Sequence, residues 1–200
     1  MLGKSLIDIS ISFLGLIVAM PIIFISGLII YLQDLQSPFF IQIRPGKNAQ
    51  LFRLIKLRTM NNRKDALGNL LPDTMRLTTA GKVIRKLSID ELPQLFNVLK
   101  GEMSLIGPRP LLPEYLSRYS LEDRRRHNVK PGITGLAQVL GRNKMKFSER
   151  FKLDVFYVDN VSFKLDVKIF LLTIKAIFFN TSSIVNGQLV DEVDDLGISQ

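Results

Sequence analysis

The stretch "KLSIDELPQLFNVLKGEMSLIGPRP", residues 86–110, places two adjacent acids, Asp90 and Glu91, between a cationic run and an apolar stripe. Ser88 and Glu91 have the Ser-x-x-Glu spacing of a capping box, in which each side chain bonds the other residue's backbone N–H. Apolar side chains then recur at helical spacing, at Leu92, Leu95, Phe96 and Leu99. The pattern predicts an amphipathic helix that is capped by Ser88 and ends near Gly101.

A cap alone would explain the two acids, but neighbouring features favour a chemical role. Arg85 and Lys86 lie one turn before the acids, at a predicted helix N-terminus, which attracts anions. The Gly-Pro-Arg-Pro sequence that follows is a stiff turn and holds Arg109 in a fixed direction. Consecutive helical side chains point about 100° apart, so Asp90 and Glu91 can serve different partners.

Two carboxylates among several cations match the needs of phosphoryl transfer. Mg²⁺ usually binds one or two carboxylates together with phosphate oxygens of the substrate. Cations stabilise the charge that develops on the transferring group. An aspartate can also be the nucleophile and form an acyl phosphate. The sequence has no Walker loop and no Gly-x-Gly-x-x-Gly, so a nucleotide would be held by other groups.

The chain is basic and apolar together, with a net charge of +9 and a mean hydropathy of +0.19. Residues 42–86 alone hold 11 Lys or Arg against Asp65 and Asp73. Within "LFRLIKLRTM", residues 51–60, three cations alternate with apolar residues, and partly buried cations of this kind need a bound anion. Cysteine is absent, which excludes disulfides and thiolate chemistry.

Residues 9–33 carry no charge and would extend about 37 Å as a helix, enough to cross a hydrocarbon core of about 30 Å. Pro21 lies near the middle and predicts a kink. The kinked helix could span the membrane, or it could turn at Pro21 and return to the same face. The cations that follow predict a cytoplasmic location for the next domain and leave the position of the N-terminus open.

The C-terminal third offers weaker signals. The loop "VKPGITGLAQVLGRN", residues 129–143, is typical in isolation of a β-hairpin and places Arg142 after an apolar run. The only histidine, His127, has no second His or Cys nearby, so we expect it at the surface and not on a metal. Residues 166–179 are apolar nearly all round and predict an interfacial helix, with a core helix as the alternative.

Four segments together resemble one known family: "RPGKNAQLFRLIKLRTM", "GKVIRKLSIDELPQLFNVLKGEMSLIGPRPLLPEY", "HNVKPGITGLAQVLGRN" and "LDVFYVDNVSFKLDVKI". They are similar to the bacterial sugar transferases, the monotopic polyprenol-phosphate phosphoglycosyl transferases, over roughly residues 4–175. The length resembles the minimal members of that family. Among these the chain looks most like the enzymes that start N-linked glycan assembly with a diacetamido sugar.

The resemblance implies that a UDP-sugar and undecaprenyl phosphate give undecaprenyl-diphospho-sugar and UMP. It implies that Asp90 is the nucleophile and that Glu91, with Asp90, associates with Mg²⁺. The cationic positions around phosphate or uridine would be Lys56, Arg85, Arg109 and Arg142. Three positions depart from the family pattern: Met20 replaces a Ser before Pro21, Leu136 replaces a Trp, and Leu140 replaces an Asn.

The resemblance also implies an α/β fold with a re-entrant N-terminal membrane helix broken at Pro21, amphipathic interfacial helices and a small β-sheet or hairpin. The expected divisions are a membrane anchor at 1–35, a catalytic domain at 36–185 and a flexible acidic tail at 186–200. The expected location is the cytoplasmic face of the bacterial inner membrane. The expected partners are anionic lipid of the inner leaflet and downstream glycosyltransferases, without nucleic acid.

Two other functions are compatible with parts of the sequence. A non-enzymatic membrane-anchored polybasic adaptor would explain the anchor and the charge, but it would not need a carboxylate pair enclosed by arginines. Hydrolysis of the nucleotide sugar, with water as the acceptor, would use the same charged residues and give a water-soluble product.

Overall fold

The computed structural model describes residues 2–141, 145–179 and 195. Its helices are α1 (Leu2–Asp34), α2 (Asp73–Arg76), α3 (Thr79–Lys86), α4 (Gln94–Leu99), α5 (Leu136–Leu140), α6 (Phe147–Asp159) and α7 (Phe163–Phe179). Its strands are β1 (Phe39–Pro45), β2 (Leu51–Leu57), β3 (Ser104–Ile106) and β4 (Gly132–Thr134). Single 3-10 turns cover Lys47–Ala49, Ile89–Glu91, Pro113–Ser117 and Asp123–Asn128. Arg142 and almost all of the predicted tail lie outside the described residues.

Helix α1 packs one face against the rest of the chain along most of its length. The buried positions recur every three or four residues: Asp8, Ser12, Leu16, Ala19, Ile23, Ser26 and Ile30. Most outward positions are apolar, and Val18 and Phe24 are 73% and 70% exposed. A water-facing helix would show the opposite pattern, with its polar residues outside. The outer face of α1 therefore suits lipid better than water.

Polar contacts hold both ends of α1 to the same domain. Near the start of the helix, Ser104 Oγ donates to Asp8 Oδ2 over 2.6 Å. At the other end, Arg58 Nη2 donates to Asp34 Oδ1, also over 2.6 Å. Pro21 lies inside α1, and helical residues continue on both sides of it, so the chain remains one helical element there. The re-entrant course of this helix stays a prediction.

Strands β1 and β2 form an antiparallel hairpin, with Phe39 opposite Leu57 and Pro45 opposite Leu51. This confirms the small β-sheet or hairpin that the resemblance implies. The outer edge of β2 is closed by a side chain of α4, because Asn97 bonds two backbone groups on that edge. Its Oδ1 accepts from Ile55 N over 3.1 Å, and its Nδ2 donates to the Arg53 carbonyl over 2.7 Å. The amide thus takes the place of a further strand and fixes α4 against β2.

The predicted hairpin at 129–143 is wrong. Strand β4 instead pairs in parallel with β3, with Ser104 opposite Gly132 and Ile106 opposite Thr134, and the chain then enters α5. The backbones approach so closely that a Cβ on Gly132 would lie 2.1 Å from Gly107 N. Glycine is required at this close approach, and its presence in the loop reflects that contact and not a tight turn.

Helix α7 is neither a fully buried core helix nor a free one. Ile169 is completely buried, and Thr173 Oγ1 lies 2.8 Å from Thr134 Oγ1 on β4. The opposite side exposes large apolar side chains, with Phe163 at 69% and Leu171 at 59%. This arrangement excludes the core-helix alternative. Contact of the exposed side with lipid stays a prediction.

We predict that Asn97→Ala lowers the free energy of unfolding by about 2 to 4 kcal/mol, because it leaves the backbone groups of Ile55 and Arg53 without partners. Chemical unfolding in detergent micelles measures this loss. The matched control is Asn69→Ala at an exposed position, where the change should stay within about 0.5 kcal/mol. Equal stability of the two variants would contradict the role given to Asn97.

Candidate active site

The two acids lie on a 3-10 turn, Ile89–Glu91, and not on the first turn of a capped α-helix. Ser88 has a left-handed backbone, with φ of +55°, and its side chain makes no capping hydrogen bond. The predicted capping box is therefore wrong. Two cations attract the Glu91 carboxylate more strongly than the Ser88 backbone N–H could, because charge-assisted bonds are stronger than neutral ones. The predicted end of the helix is confirmed, since α4 ends at Leu99 and Gly101 has φ of +77°.

Glu91 joins three separate segments of the chain. Its Oε1 accepts from Lys56 Nζ on β2 over 2.7 Å and from Arg109 Nη2, in the turn after β3, over 2.9 Å. Burial raises the pKa of Glu91, but Arg109 and Lys56 outweigh that effect and lower its pKa to about 2. Burial and the nearby Arg109 also lower the pKa of Lys56. Glu91 is thus a fixed anion throughout the physiological pH range.

Asp90 has a different environment from its neighbour. It is half-buried, and no hydrogen bond or ion pair engages its carboxylate in the part of the chain that the structure describes. Burial and the charge of Glu91 raise the pKa of Asp90, while Lys56, Arg85 and Arg109 act in the opposite direction. A carboxylate with no partner among the described residues, close to three cations, is placed to attack an anionic substrate.

Arg85 is fixed at one nitrogen and open at the others. Its Nε donates to Thr59 Oγ1 over 2.7 Å, and its two terminal nitrogens have no partner among residues 2–141 and 145–179. Helix α3 carries Arg85 and packs tightly on the same threonine, since a Cβ on Gly81 would lie 2.1 Å from Thr59 O. The guanidinium therefore has a fixed base and free donors, an arrangement that suits phosphate binding.

The backbone of Arg109 is fixed by a buried ion pair that the sequence pattern did not predict. Arg126 donates to the Arg109 carbonyl over 2.8 Å, to Asp154 Oδ2 over 2.6 Å and to the Tyr119 hydroxyl over 2.9 Å. The side chains of Arg126 and Asp154 are only 1% and 3% exposed. In the sequence, Asp154 stands among the apolar residues of α6, and a buried acid of this kind indicates that a cation lies close to it. This pair fixes the backbone from which Arg109 reaches Glu91.

His127 is buried, so its predicted surface location is wrong. Its Nδ1 lies 3.3 Å from the Gly46 carbonyl, because the 3-10 turn Asp123–Asn128 packs against the turn between β1 and β2. Burial and the neighbouring Arg126 lower its pKa to about 4, so the ring is neutral at neutral pH.

The described residues hold no cluster of three or more His, Cys, Asp or Glu side chains that could bind a metal by themselves. The two acids nevertheless fit Mg²⁺ that is bound together with substrate phosphate. The Asp90 carboxylate has no partner among the described residues, and Glu91 uses only Oε1 in its two ion pairs.

Two of the positions that depart from the family pattern have different environments. The Leu136 side chain is buried, at 7% exposure, whereas the Leu140 side chain is 57% exposed.

We predict opposite stability effects for the two adjacent isosteric changes. Glu91→Gln removes the anion between Lys56 and Arg109 and should cost on the order of 2 to 3 kcal/mol at pH 7. Because the folded pKa is depressed, this loss should disappear as pH falls from about 4.5 towards 2. Asp90→Asn should leave stability unchanged or raise it, because burial disfavours the charged form there.

Chemical unfolding of both variants across pH measures these effects. Each variant is the control for the other, because they differ by one position in the same turn. A destabilised Asp90→Asn beside an unaffected Glu91→Gln would contradict the assignment of the two environments.

The chain is similar to known proteins over most of its length. The family described as Bacterial sugar transferase matches residues 1–180. An uncharacterized sugar transferase, EpsL of Bacillus subtilis, is 51% identical over 177 residues, which cover 88% of each chain. The undecaprenyl-phosphate galactose phosphotransferase of Salmonella typhimurium is 37% identical over 196 residues, covering 87% of this chain and 40% of that protein. An Aeromonas hydrophila protein is 42% identical over 165 residues, covering 78% of this chain and 39% of its own length, and is named UDP-N-acetylgalactosamine-undecaprenyl-phosphate N-acetylgalactosaminephosphotransferase. The chain belongs to the bacterial sugar transferase family.

Proposed function

We propose that this protein transfers a phosphosugar from a UDP-sugar to undecaprenyl phosphate and releases UMP. The observation that carries the proposal is the free carboxylate of Asp90 beside Lys56, Arg85 and Arg109, with Glu91 holding two of these cations in place. The names of the relatives from Salmonella typhimurium and Aeromonas hydrophila support the same reaction class.

The proposed reaction has two displacements at one phosphorus atom. In the first, an Asp90 oxygen bonds to the phosphorus that carries the sugar, the bond to the bridging oxygen breaks, and UMP leaves with that electron pair. In the second, a phosphate oxygen of undecaprenyl phosphate bonds to the same phosphorus, and the Asp90 carboxylate is released. Neither step removes a proton from its nucleophile, because each nucleophile reacts in its anionic form.

The charged side chains have separate tasks in this scheme. Lys56 and Arg109 lower the repulsion between the Asp90 carboxylate and the diphosphate, and Arg85 offers its free terminal nitrogens to phosphate oxygens. Glu91 and Asp90 would hold Mg²⁺, which supplies charge neutralisation of the diphosphate when bound. Because Glu91 keeps its two cations fixed, little reorganisation is needed when the substrate arrives.

The identity of the sugar is a separate question. The resemblance predicts a diacetamido sugar, whereas the relatives' names refer to galactose, glucose and N-acetylgalactosamine. We therefore propose a UDP-sugar donor, and the diacetamido sugar stays a prediction. A survey of UDP-sugars for UMP release would identify the donor.

We further propose that the protein lies on the cytoplasmic face of the inner membrane, where nucleotide sugars are found, with both ends of α1 on that face. Among the described residues one helix, Gly3–Asp34, is long and apolar enough to cross a membrane by length and composition. However, Asp8 and Asp34, near its two ends, bond the same domain. A spanning helix would place one of these polar contacts on the far side of the bilayer, away from that domain. Downstream glycosyltransferases would then take up the lipid-linked product on the same face.

We predict that wild-type protein with UDP-sugar alone releases at most one equivalent of UMP, and that turnover requires undecaprenyl phosphate and gives a product soluble in organic solvent. Asp90→Asn should release no UMP, because a neutral amide is far too weak a nucleophile to replace the carboxylate. Asp73→Asn, at a side chain that is 74% exposed, is the matched control and should behave as wild type. UMP release by Asp90→Asn would contradict the role of Asp90, and continuous release without lipid would indicate hydrolysis.

We predict that cysteines placed at the two ends of α1 lie on the same side of the membrane. The chain has no native cysteine, so Gly3→Cys and Gln33→Cys each give a single reactive thiol. Both should resist a membrane-impermeant maleimide in intact spheroplasts and react in inverted vesicles. Reaction of the two thiols from opposite sides of the membrane would show that the helix spans it.

A further inference from the structure

An exposed aromatic residue is the strand neighbour of Lys56 and has no part in the chemistry proposed above. Strand β1 opens with three consecutive exposed apolar residues, Phe39, Phe40 and Ile41, at 44%, 46% and 57% exposure. Phe40 is paired directly with Lys56 across the hairpin. Directly opposed residues share a face, with Cβ atoms about 5 Å apart. Because Lys56 reaches Glu91 from that face, Phe40 lies on the same side of the hairpin as the acids, while Ile41 points to the other face.

The apolar surface at Phe40 adjoins the outer face of α1. Pro38, two residues before Phe40, lies against α1, where a Cβ on Gly27 would be in ordinary van der Waals contact with Pro38 Cβ at 3.6 Å. Phe24 and Tyr31 are on the same stripe of α1 as Gly27, and they are 70% and 44% exposed. Exposed rings on α1 and on β1 thus lie on either side of the Gly27–Pro38 contact, between the helix face that suits lipid and the strand position paired with Lys56.

This juxtaposition matches a ligand with an anionic head and an apolar chain. A nucleotide sugar is polar throughout its diphosphate and sugar parts and gains little from an apolar surface that leads into the bilayer. A polyprenyl phosphate needs both features together, because its phosphate must reach Asp90 while its chain remains in lipid. The Phe40–Lys56 pair joins the two features, because Lys56 belongs to the charged site and Phe40 is an exposed aromatic residue.

We propose that Phe40 binds the first isoprene units of the lipid acceptor and, with Pro38, forms the path from the outer face of α1 to the acids. The inference rests on the proposed function, since it assigns a binding site to the second substrate of that reaction. It concerns only the second displacement. Phe40 is therefore a specificity residue for the acceptor and not a catalytic residue.

The test separates the two displacements in detergent micelles. Phe40→Ser should raise the KM for undecaprenyl phosphate on the order of tenfold through loss of apolar contact, while UMP release from UDP-sugar alone keeps the wild-type rate. Phe40→Leu should recover most of the acceptor affinity. Ile41→Ser is the matched control, because it removes a similarly exposed apolar side chain from the opposite face of the same strand and should leave both quantities as in wild type.

Two results would overturn the inference. Equal KM changes in Phe40→Ser and Ile41→Ser would indicate a general effect of apolar surface on micelle association. Slower UMP release by Phe40→Ser in the absence of lipid would place Phe40 against the uracil ring or the sugar instead. Wild-type protein that forms no lipid-linked product would refute the proposed function itself, which is a different outcome from either of these.

A photoreactive acceptor gives an independent reading that does not depend on how a variant folds. A short polyprenyl phosphate with a diazirine in its first isoprene unit, irradiated with the wild-type protein, should label the peptide that contains Phe40. Undecaprenyl phosphate in excess should suppress that label. Labelling confined to other peptides would contradict the proposed path.

Discussion

One carboxylate oxygen, Glu91 Oε1, accepts hydrogen bonds from two cations that reach it from distant parts of the chain. Lys56 comes from the hairpin and Arg109 from the stiff turn after β3, so the ion pairs fix the relative positions of three segments. Each segment has its own support: Asn97 ties β2 to α4, and Arg126 with Asp154 holds the backbone of Arg109. Together these contacts keep Lys56 and Arg109 on Glu91 and leave the neighbouring Asp90 carboxylate without an ion pair among the described residues.

The contrast between the adjacent acids is what gives the site its chemistry. Glu91 is stabilised as an anion, with a pKa of about 2. If its carboxylate moved away, two partly buried cations would lose their counter-charge. Asp90 is close to the same cations, yet it bonds none of the described residues and its pKa is raised. Asp90 is therefore less stable as an anion than it would be in water, which favours its reaction with an electrophilic phosphorus atom. The polar contacts at both ends of α1 join this site to an outward apolar face that suits lipid.

The sequence was sufficient where local pattern and chemistry agreed. The uncharged run predicted α1, and the residue types around Asp90 predicted that Arg109 would lie near the acids. Lys56 was expected there only from the family resemblance. Predictions failed where a distant partner decided the outcome. The Glu91 carboxylate binds Lys56 and Arg109 and not the Ser88 backbone. His127 is buried against Gly46, 81 residues earlier in the chain, and β4 pairs with β3. Asn97 and Arg126 were missed because an amide in an apolar stripe, or one arginine in a basic run, shows its role only through its partner.

The most direct test of the account is the covalent intermediate on Asp90. Wild-type protein is mixed with UDP-sugar in the absence of lipid, quenched in acid and digested, and its peptides are weighed by mass spectrometry. We expect the mass of one phosphosugar on the peptide that contains Asp90, and we expect it to disappear when undecaprenyl phosphate is added before the quench. Release of UMP with the phosphosugar on another residue, or without any adduct at every time sampled, would contradict the account.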